Sequence, residues 1–424
     1  MRVFFSNLGC KLNQAEVDAL ARQFIASGHQ VVAALEEADL HVVNSCTVTH
    51  QAERDSRKAA RRAAREGLVA RTVLTGCYAT AEADAARALG GVDLVVANCD
   101  KDRLSEIVAR ELSPTDDLNA SDEPTSAVPV SYVPLRFGPA RALVKVEDGC
   151  DMRCAFCIIP RTRGAQRSRP LDRVVAEAKA LEAGGHAEIV ITGVQISAYR
   201  DGAARLPQLL DALVAATSAC RFRLTSIAPW ELDAALLDRL QHPRLCRHVH
   251  LSLQSGDDRT LRRMRRPYTA ARFAALVDDI RSRIAGAAIT TDVIVGFPGE
   301  TDDEYEASRA FVATMGFARV HVFNYSTRPG TEAAAMPDQV RPDRKRERMG
   351  RMLETAAAAE EAFQRAHLGE VGRVLWEGRR AGRWLGTTDN YLRVSTDGER
   401  ENLRGTVTEA RLIRVERGGL VAAL

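Results

Sequence analysis

Three cysteines constrain this chain more than any other feature. Cys150, Cys154 and Cys157 lie in the run Glu147-Asp148-Gly149-Cys150-Asp151-Met152-Arg153-Cys154-Ala155-Phe156-Cys157. The spacing C-x3-C-x2-C makes one short loop present three thiols just after the apolar run 142–146. Three thiolates on a four-iron cluster leave one iron without a protein ligand. That iron can hold a small chelating molecule, which points to catalysis rather than electron storage. A C-x2-C pair also belongs to structural zinc sites, but those need two further Cys or His at short spacing. The next histidine, His186, is too distant for a compact knuckle. Ligand count and spacing therefore favour the cluster.

A chain of 424 residues has room for about three domains, and 46% hydrophobic residues suffice for packed cores. The net charge is only +3 with 27% of residues charged, so a nucleic-acid surface has to come from local patches. Nothing resembles a signal peptide or a spanning helix, which predicts a cytoplasmic protein with no membrane partner. Nine cysteines in such a chain suggest a reducing compartment and metal ligation rather than disulfides.

The first segment reads as α/β, with strand-type runs at 2–8, 40–44, 72–75 and 94–97. Helical stretches follow them, the first with Asn13 as N-cap and Gly28 as its stop. Alternating strands and helices predict a doubly wound parallel sheet. Cys10, Cys46 and Cys77 each fall just past the carboxyl end of a strand, the edge where such sheets collect ligands. Cys99 also ends a strand. Any one of these cysteines alone reads as a buried small hydrophobe; together they favour a second cluster.

Residues 114–139 read as a linker broken by repeated prolines. The middle segment repeats a strand–helix unit, with strands at 142–146, 188–192, 221–227, 248–254, 289–295 and 319–325. Helical patterns at 171–183 and 268–284 separate them. Six such units suggest an incomplete (β/α)6 barrel, with chemistry at the carboxyl ends of its strands. The last segment alternates like strands at 372–377, 391–395 and 406–415. Turns at Gly378, Gly382 and Asp397-Gly398 predict a small β-barrel. The domain reading is 1–113, linker 114–139, 140–368 and 369–424.

The run Cys150 to Cys157, C-x3-C-x-Phe-C, resembles the signature of the radical S-adenosylmethionine (SAM) superfamily. There the open iron binds SAM, and one electron splits a carbon–sulfur bond to release a 5′-deoxyadenosyl radical; the cofactor does the hard chemistry and the protein positions it. The stretches Leu8-Gly9-Cys10-Lys11-Leu12-Asn13-Gln14, Asn44-Ser45-Cys46-Thr47-Val48-Thr49 and Thr75-Gly76-Cys77-Tyr78-Ala79 resemble the N-terminal domain of the methylthiotransferase family. That domain binds an auxiliary four-iron cluster through three cysteines. Cys99 falls outside the pattern and is assigned to packing. The last segment resembles the TRAM domain, an RNA-binding barrel related in shape to oligonucleotide-binding folds.

The resemblance implies two [4Fe-4S] clusters and SAM, with Cys150, Cys154 and Cys157 as the catalytic set and Cys10, Cys46 and Cys77 as the auxiliary one. It implies cofactor contacts from Gly193, after the second strand, and from Gln254, at the end of His250-Leu251-Ser252-Leu253-Gln254. Gly296, in Asp292-Val293-Ile294-Val295-Gly296-Phe297-Pro298-Gly299-Glu300, belongs to the same expected pocket. Ser226 and Asp292 are further candidates, each equally readable as a polar residue capping a strand end.

The implied reaction is methylthiolation of an adenosine in a tRNA anticodon loop, with an electron donor and a sulfur source as further partners. The Gly9-to-Gln14 run resembles the branch acting on C2 of N6-threonylcarbamoyladenosine at tRNA position 37. Branches acting on isopentenyladenosine or on a ribosomal protein carry other residues after that cysteine and remain alternatives. Basic stripes supply RNA footing: Arg54, Arg57, Lys58, Arg61, Arg62 and Arg65; Arg262, Arg263, Arg265 and Arg266; and Arg341 to Arg351. In the terminal barrel, arginines mix with Trp376, Trp384 and Tyr391, since arginine meets phosphate and rings stack on unpaired bases. A solvated helix face explains such stripes equally well, and barrel packing explains each tryptophan.

Overall fold

Short apolar runs separated by helices build one parallel sheet at the start of the chain. The computed structural model describes residues 1–112, 140–397, 402–416 and 418–424. The expected linker, 114–139, and Gly398 of the expected Asp-Gly turn lie outside the described residues. Among the described residues no helix is long and apolar enough to cross a membrane.

The chain divides into two compact units. Among the described residues the first holds 1–112 together with Gly149–Asp151 and Ile158–Ala165. Its elements are β1 (Arg2–Asn7), α1 (Lys11–Ala26), β2 (Gln30–Val31), β3 (Leu40–Ser45), α2 (His50–Ala60), β4 (Arg71–Gly76), α3 (Cys77–Ala81), β5 (Leu94–Val96), α4 (Leu104–Leu112) and α5 (Ile159–Arg163). The sheet order is β2-β1-β3-β4-β5, parallel throughout. Val3, Phe5, Val42 and Val73 pack on one face against Val17 and Phe24 of α1 and Leu104 and Val108 of α4. On the other face Val43 and Leu74 meet Ala60, Tyr78 and Ala79. Apolar residues on both sides of each strand thus give the doubly wound sheet. Its order reverses between β1 and β3, the switch point where such sheets bind ligands.

Asn13 is not the N-cap of α1. The cap is Cys10, in extended conformation, and the helix begins three residues earlier than the sequence suggested. The reason is tertiary. The Asn13 amide donates to Leu8 O at 2.7 Å and Ser45 O at 3.1 Å, fastening the helix start to the ends of β1 and β3.

The second unit holds the remaining described residues through Leu424. Its strands β6 (Arg141–Lys145), β7 (Glu188–Thr192) and β8 (Arg221–Leu224) form one parallel sheet in the order β8-β7-β6. The strands β9 (Ser226–Ile227), β10 (His248–Gln254), β11 (Ala288–Val295) and β12 (Arg319–Asn324) form a second. The expected strand 221–227 is broken at Thr225: its first part pairs with β7 and its last part with β10. That hand-over curls the strands into the incomplete barrel. Helices α6 (Leu171–Ala183), α7 (Leu206–Ala216), α8 (Ala270–Arg283), α9 (Asp302–Thr314) and α10 (Pro342–Ala366) complete the unit's main helices. Ile189, Phe222, Val249, Leu251, Val293 and Val322 share one core with Val174, Leu209, Val277 and Val312 of these helices. Side chains alternate along a strand, so Glu188, Arg223, His250, Asp292, His321 and Phe323 occupy the barrel's inner face.

Strands β13 (Val371–Arg380), β14 (Arg383–Thr388), β15 (Arg393–Thr396), β16 (Val407–Glu416) and β17 (Gly419–Ala423) close into a barrel in the order β13-β14-β15-β17-β16. The sequence reading missed β14 and β17. Gly378, expected at a turn, instead lies inside β13 where the pairing with β14 shifts register, a β-bulge of the kind glycine permits.

Charged residues tie this closed barrel to the parallel strands. Glu188, fully buried at the start of β7, lies 2.7 Å from Arg141 Nε, 2.7 Å from Arg221 Nε and 2.9 Å from Arg223 Nε. Arg221 also donates to Arg373 O and Thr387 O, both at 2.9 Å. Arg223 donates to Asp389 O at 3.0 Å and Thr388 O at 2.9 Å. One carboxylate thus holds arginines whose other N–H groups satisfy barrel carbonyls.

Candidate active site

In the first unit, Cys10, Cys46 and Cys77 follow β1, β3 and β4 and flank or adjoin the switch point. Cys10 is exposed, Cys46 and Cys77 are buried, and all are free thiols. Gly9 has φ +102°, and a Cβ there would lie 2.8 Å from Cys46 Cβ and 2.9 Å from its Sγ. The first loop therefore rests directly on the second cysteine. Burial pushes the Cys46 thiol up to about 12, with Cys77 and Cys10 adding to the shift. Loading a metal group at this thiol would displace a proton.

Polar side chains frame the thiols. Asn13 Oδ1 stands 3.6 Å from Cys10 Sγ, and Asn98 Nδ2 stands 3.7 Å from Cys77 Sγ. Cys99, expected to pack, is instead exposed, with its Sγ 3.2 Å from Asp100 Oδ2. The short turn after β5 directs its neighbour Asn98 inward and leaves Cys99 outside.

Gly9→Ala tests this cradle. The new methyl group would demand both a left-handed backbone and space already filled by Cys46. We expect a clear loss of iron from reconstituted protein; full retention would show that the loop need not rest on Cys46.

The second cysteine run contributes Cys150 to the first unit and Cys154 and Cys157 to the second. All three are partly exposed and outside any disulfide. Cys150 N–H donates to Gly164 O at 3.1 Å. In the second unit Cys157 N–H donates to Cys154 O at 3.0 Å, and Ala155 N–H to Met264 O at 3.1 Å. Arg266 Nη1 lies 3.3 Å from Cys154 Sγ. Its guanidinium sits over Trp230 at 4.7 Å and Tyr268 at 5.4 Å from the ring centroids.

The expected SAM-contacting residues all lie in the second unit. Gly193 follows β7, and a Cβ there would fall 2.7 Å from Glu147 Oε2, so this glycine makes room for a buried carboxylate. Gln254 ends β10 with φ +71°, beside a register irregularity. Asp292 Oδ2 meets His250 Nε2 at 3.2 Å, and Ser226 pairs with His250 across neighbouring strands. Gly296 N–H donates to Glu300 Oε2 at 2.7 Å, holding the turn after β11. Gln254, Asp292 and Gly296 thus stand at or near the carboxyl ends of adjacent strands.

The sequence reading gave no role to His250, His321 or Phe323. His250 and His321 have ring centroids 6.0 Å apart, and Phe323 is 43% exposed near the end of the last parallel strand. Their period-two spacing with the apolar core residues is the signal that could have placed them inside the barrel.

The basic stripes are largely paired. Arg57 pairs with Glu53 and Arg62 with Glu36 and Glu66, while Arg54, Lys58 and Arg61 have no acidic partner among the described residues. Arg263 pairs with Glu304, Arg265 with Glu332, and Arg266 faces a cysteine, so three arginines of the densest expected RNA patch are engaged, while Arg262 has no acidic partner among the described residues. Arg344, Arg348 and Arg351 likewise meet carboxylates. Trp376 and Trp384 are buried in the closed barrel's core, and Tyr391 stacks on His248 at 4.2 Å. Packing, rather than base stacking, accounts for these three rings.

Residues 144–312 match the model of the radical SAM superfamily, and residues 2–97 match that of the uncharacterized protein family UPF0004. The threonylcarbamoyladenosine tRNA methylthiotransferase MtaB of Bacillus subtilis is 32% identical over 97% of this chain and 94% of that protein. The chain belongs to the radical SAM methylthiotransferases. Other members of this family are as similar. The tRNA-2-methylthio-N(6)-dimethylallyladenosine synthase of Sorangium cellulosum is 34% identical over 100% of this chain and 93% of that protein. The ribosomal protein uS12 methylthiotransferase RimO of Roseiflexus castenholzii is 34% identical over 89% of this chain and 85% of that protein. A solved radical SAM methyltransferase, TsrM from Kitasatospora setae, has a TM-score of 0.56 over 78% of this chain and 75% of that one. At 16% identity that likeness is one of fold.

A radical SAM methylthiotransferase uses SAM and a [4Fe-4S] cluster, and the residues present fit such groups. Among the described residues no three His, Cys, Asp or Glu side chains gather as a single metal ion would require. At Gly9 the lack of a side chain leaves Cys46 Sγ uncrowded on that side.

Proposed function

We propose that this methylthiotransferase acts on C2 of N6-threonylcarbamoyladenosine at position 37 of tRNA. The reading is carried by similarity to MtaB along nearly the whole chain, together with the Gly9-Cys10-Lys11-Leu12-Asn13-Gln14 run. On this reading Cys150, Cys154 and Cys157 hold one [4Fe-4S] cluster, and Cys10, Cys46 and Cys77 hold a second. When bound, the first cluster and SAM supply the radical that activates the substrate carbon, and the second supplies a place for sulfur.

The chain's own residues bind and orient. Arg266 fixes Cys154 from a cage of Trp230 and Tyr268. Gln254, Asp292 and Gly296 are positioned for the cofactor, with Asp292 oriented by His250. Phe323 offers an exposed ring near the end of the last barrel strand, suited to a base splayed out of an RNA loop.

Mass spectrometry of tRNA nucleosides from a strain lacking this protein tests the substrate. We expect 2-methylthio-N6-threonylcarbamoyladenosine to disappear while its parent nucleoside accumulates. Loss of the isopentenyl derivative instead, or of a methylthio group from a ribosomal protein, would assign the enzyme to another branch.

A further inference from the structure

The two cysteine sets are separated by more than seventy residues of sequence, yet the segment just after Cys157 is fastened to the side chains that frame the first set. Arg163, the last residue of α5, is 3% exposed. Its Nη1 lies 2.8 Å from Glu16 Oε1, and its Nη2 donates to Asn13 Oδ1 at 2.7 Å. That Asn13 oxygen is the atom 3.6 Å from Cys10 Sγ. Glu16 is also met by Lys101 Nζ at 2.7 Å, and Lys101 is 2% exposed. The neighbouring residue makes a second tie: Asn98 Nδ2 donates to Thr162 O at 2.8 Å and stands 3.7 Å from Cys77 Sγ.

Each asparagine is therefore shared between a thiol and the tail of the radical cysteine loop. Burying Arg163, Lys101 and Glu16 costs several kcal/mol per ion unless the geometry is strictly held. A structural tie alone could use apolar contacts. Charged and amide groups set against thiols instead fix the direction in which those thiols point, as outer-shell partners do at metal sites.

We propose that Arg163 and Asn98 are positioning residues for the Cys10, Cys46 and Cys77 site. The inference rests on the reading that this first set holds a cluster. Arg163 aligns Asn13 beside Cys10, and Thr162 O aligns Asn98 beside Cys77.

The experiment uses full-length protein carrying Cys150→Ala, Cys154→Ala and Cys157→Ala, so that only the first set remains, reconstituted anaerobically with iron and sulfide. Arg163→Gln, Arg163→Lys and Asn98→Ala are added separately. Iron per chain, the electron paramagnetic resonance spectrum of the reduced cluster and the rate of bleaching in air are recorded, with far-ultraviolet circular dichroism to follow folding. We expect Arg163→Gln and Asn98→Ala each to alter the spectrum and weaken cluster retention by about 10–100-fold at unchanged circular dichroism, with Arg163→Lys partly restoring both. Spectra and bleaching rates identical to the parent in both variants would overturn the proposal. So would a loss confined to Arg163→Gln with altered circular dichroism, which would mark a folding role only. A parent protein that holds no iron would instead sink the assignment of the first cysteine set, and this inference with it.

Discussion

Replacing Cys10, Cys46 and Cys77 together with alanine is expected to remove half of the iron, from about eight atoms per chain to about four, while reductive cleavage of SAM continues. The two thiol sets are supplied by different segments: one by three strand ends of the first sheet, the other by a single loop after β6. Losing the first set removes no ligand from the second. The converse substitution of Cys150, Cys154 and Cys157 should abolish deoxyadenosine formation, because no open iron would remain to bind SAM. Iron analysis and chromatography of deoxyadenosine read both outcomes. Full iron in the first triple variant would refute a cluster at Cys10, Cys46 and Cys77. Continued cleavage in the second would refute the radical role of the loop.

Glu188→Gln should produce the largest loss of stability of any single substitution considered. The change keeps the side chain's shape and removes a buried charge that Arg141, Arg221 and Arg223 share. Stripping one partner from a buried ion cluster costs about 3–5 kcal/mol. All three tryptophans, Trp230, Trp376 and Trp384, lie in the second unit, so a urea titration followed by tryptophan fluorescence reports this unit directly. Removal from water alone would raise the Glu188 pKa. The guanidinium groups of Arg141, Arg223 and Arg221 overcome that and hold it well below the usual carboxylate value. A carboxyl lowered in this way stabilises the fold at every pH above its unfolded value of about 4.3. That contribution fades only as acid passes the lower folded value, so wild type and variant should converge in strong acid and differ fully at neutral pH. Equal urea midpoints at pH 7 would show that the arginines hold the barrel without the carboxylate.

Grouping was legible where it is local. Cys150, Cys154 and Cys157 share eight residues, so that they stand together could be read without knowing the fold. The strands were legible because each carries apolar side chains on a core-facing row: five of the six expected barrel strands matched within one residue at either end, and two of these, β7 and β10, matched throughout. Short elements were not. β2 has two residues, too few for any periodicity, and β14 carries a glycine where an alternating pattern would need a side chain.

Charge misled for a different reason. Arginines that looked like phosphate ligands in sequence, Arg263 and Arg266 among them, are matched by Glu304 and Cys154 from distant segments. A side chain's partner is set by three-dimensional proximity, which spacing along the chain does not encode.

By itself, the order of residues determined that this chain has two sets of three thiols, one in a loop and one at the ends of parallel strands, and that a curled α/β barrel separates two smaller folds. Only the tertiary structure decided that Asn13 and Asn98 stand beside those thiols, that Arg163 reaches back to Asn13, and that Glu188 gathers three arginines under the closed barrel. Local patterns record which face of an element avoids water; they carry no record of which buried polar group will satisfy another, because that depends on where the folded backbone brings each of them to rest.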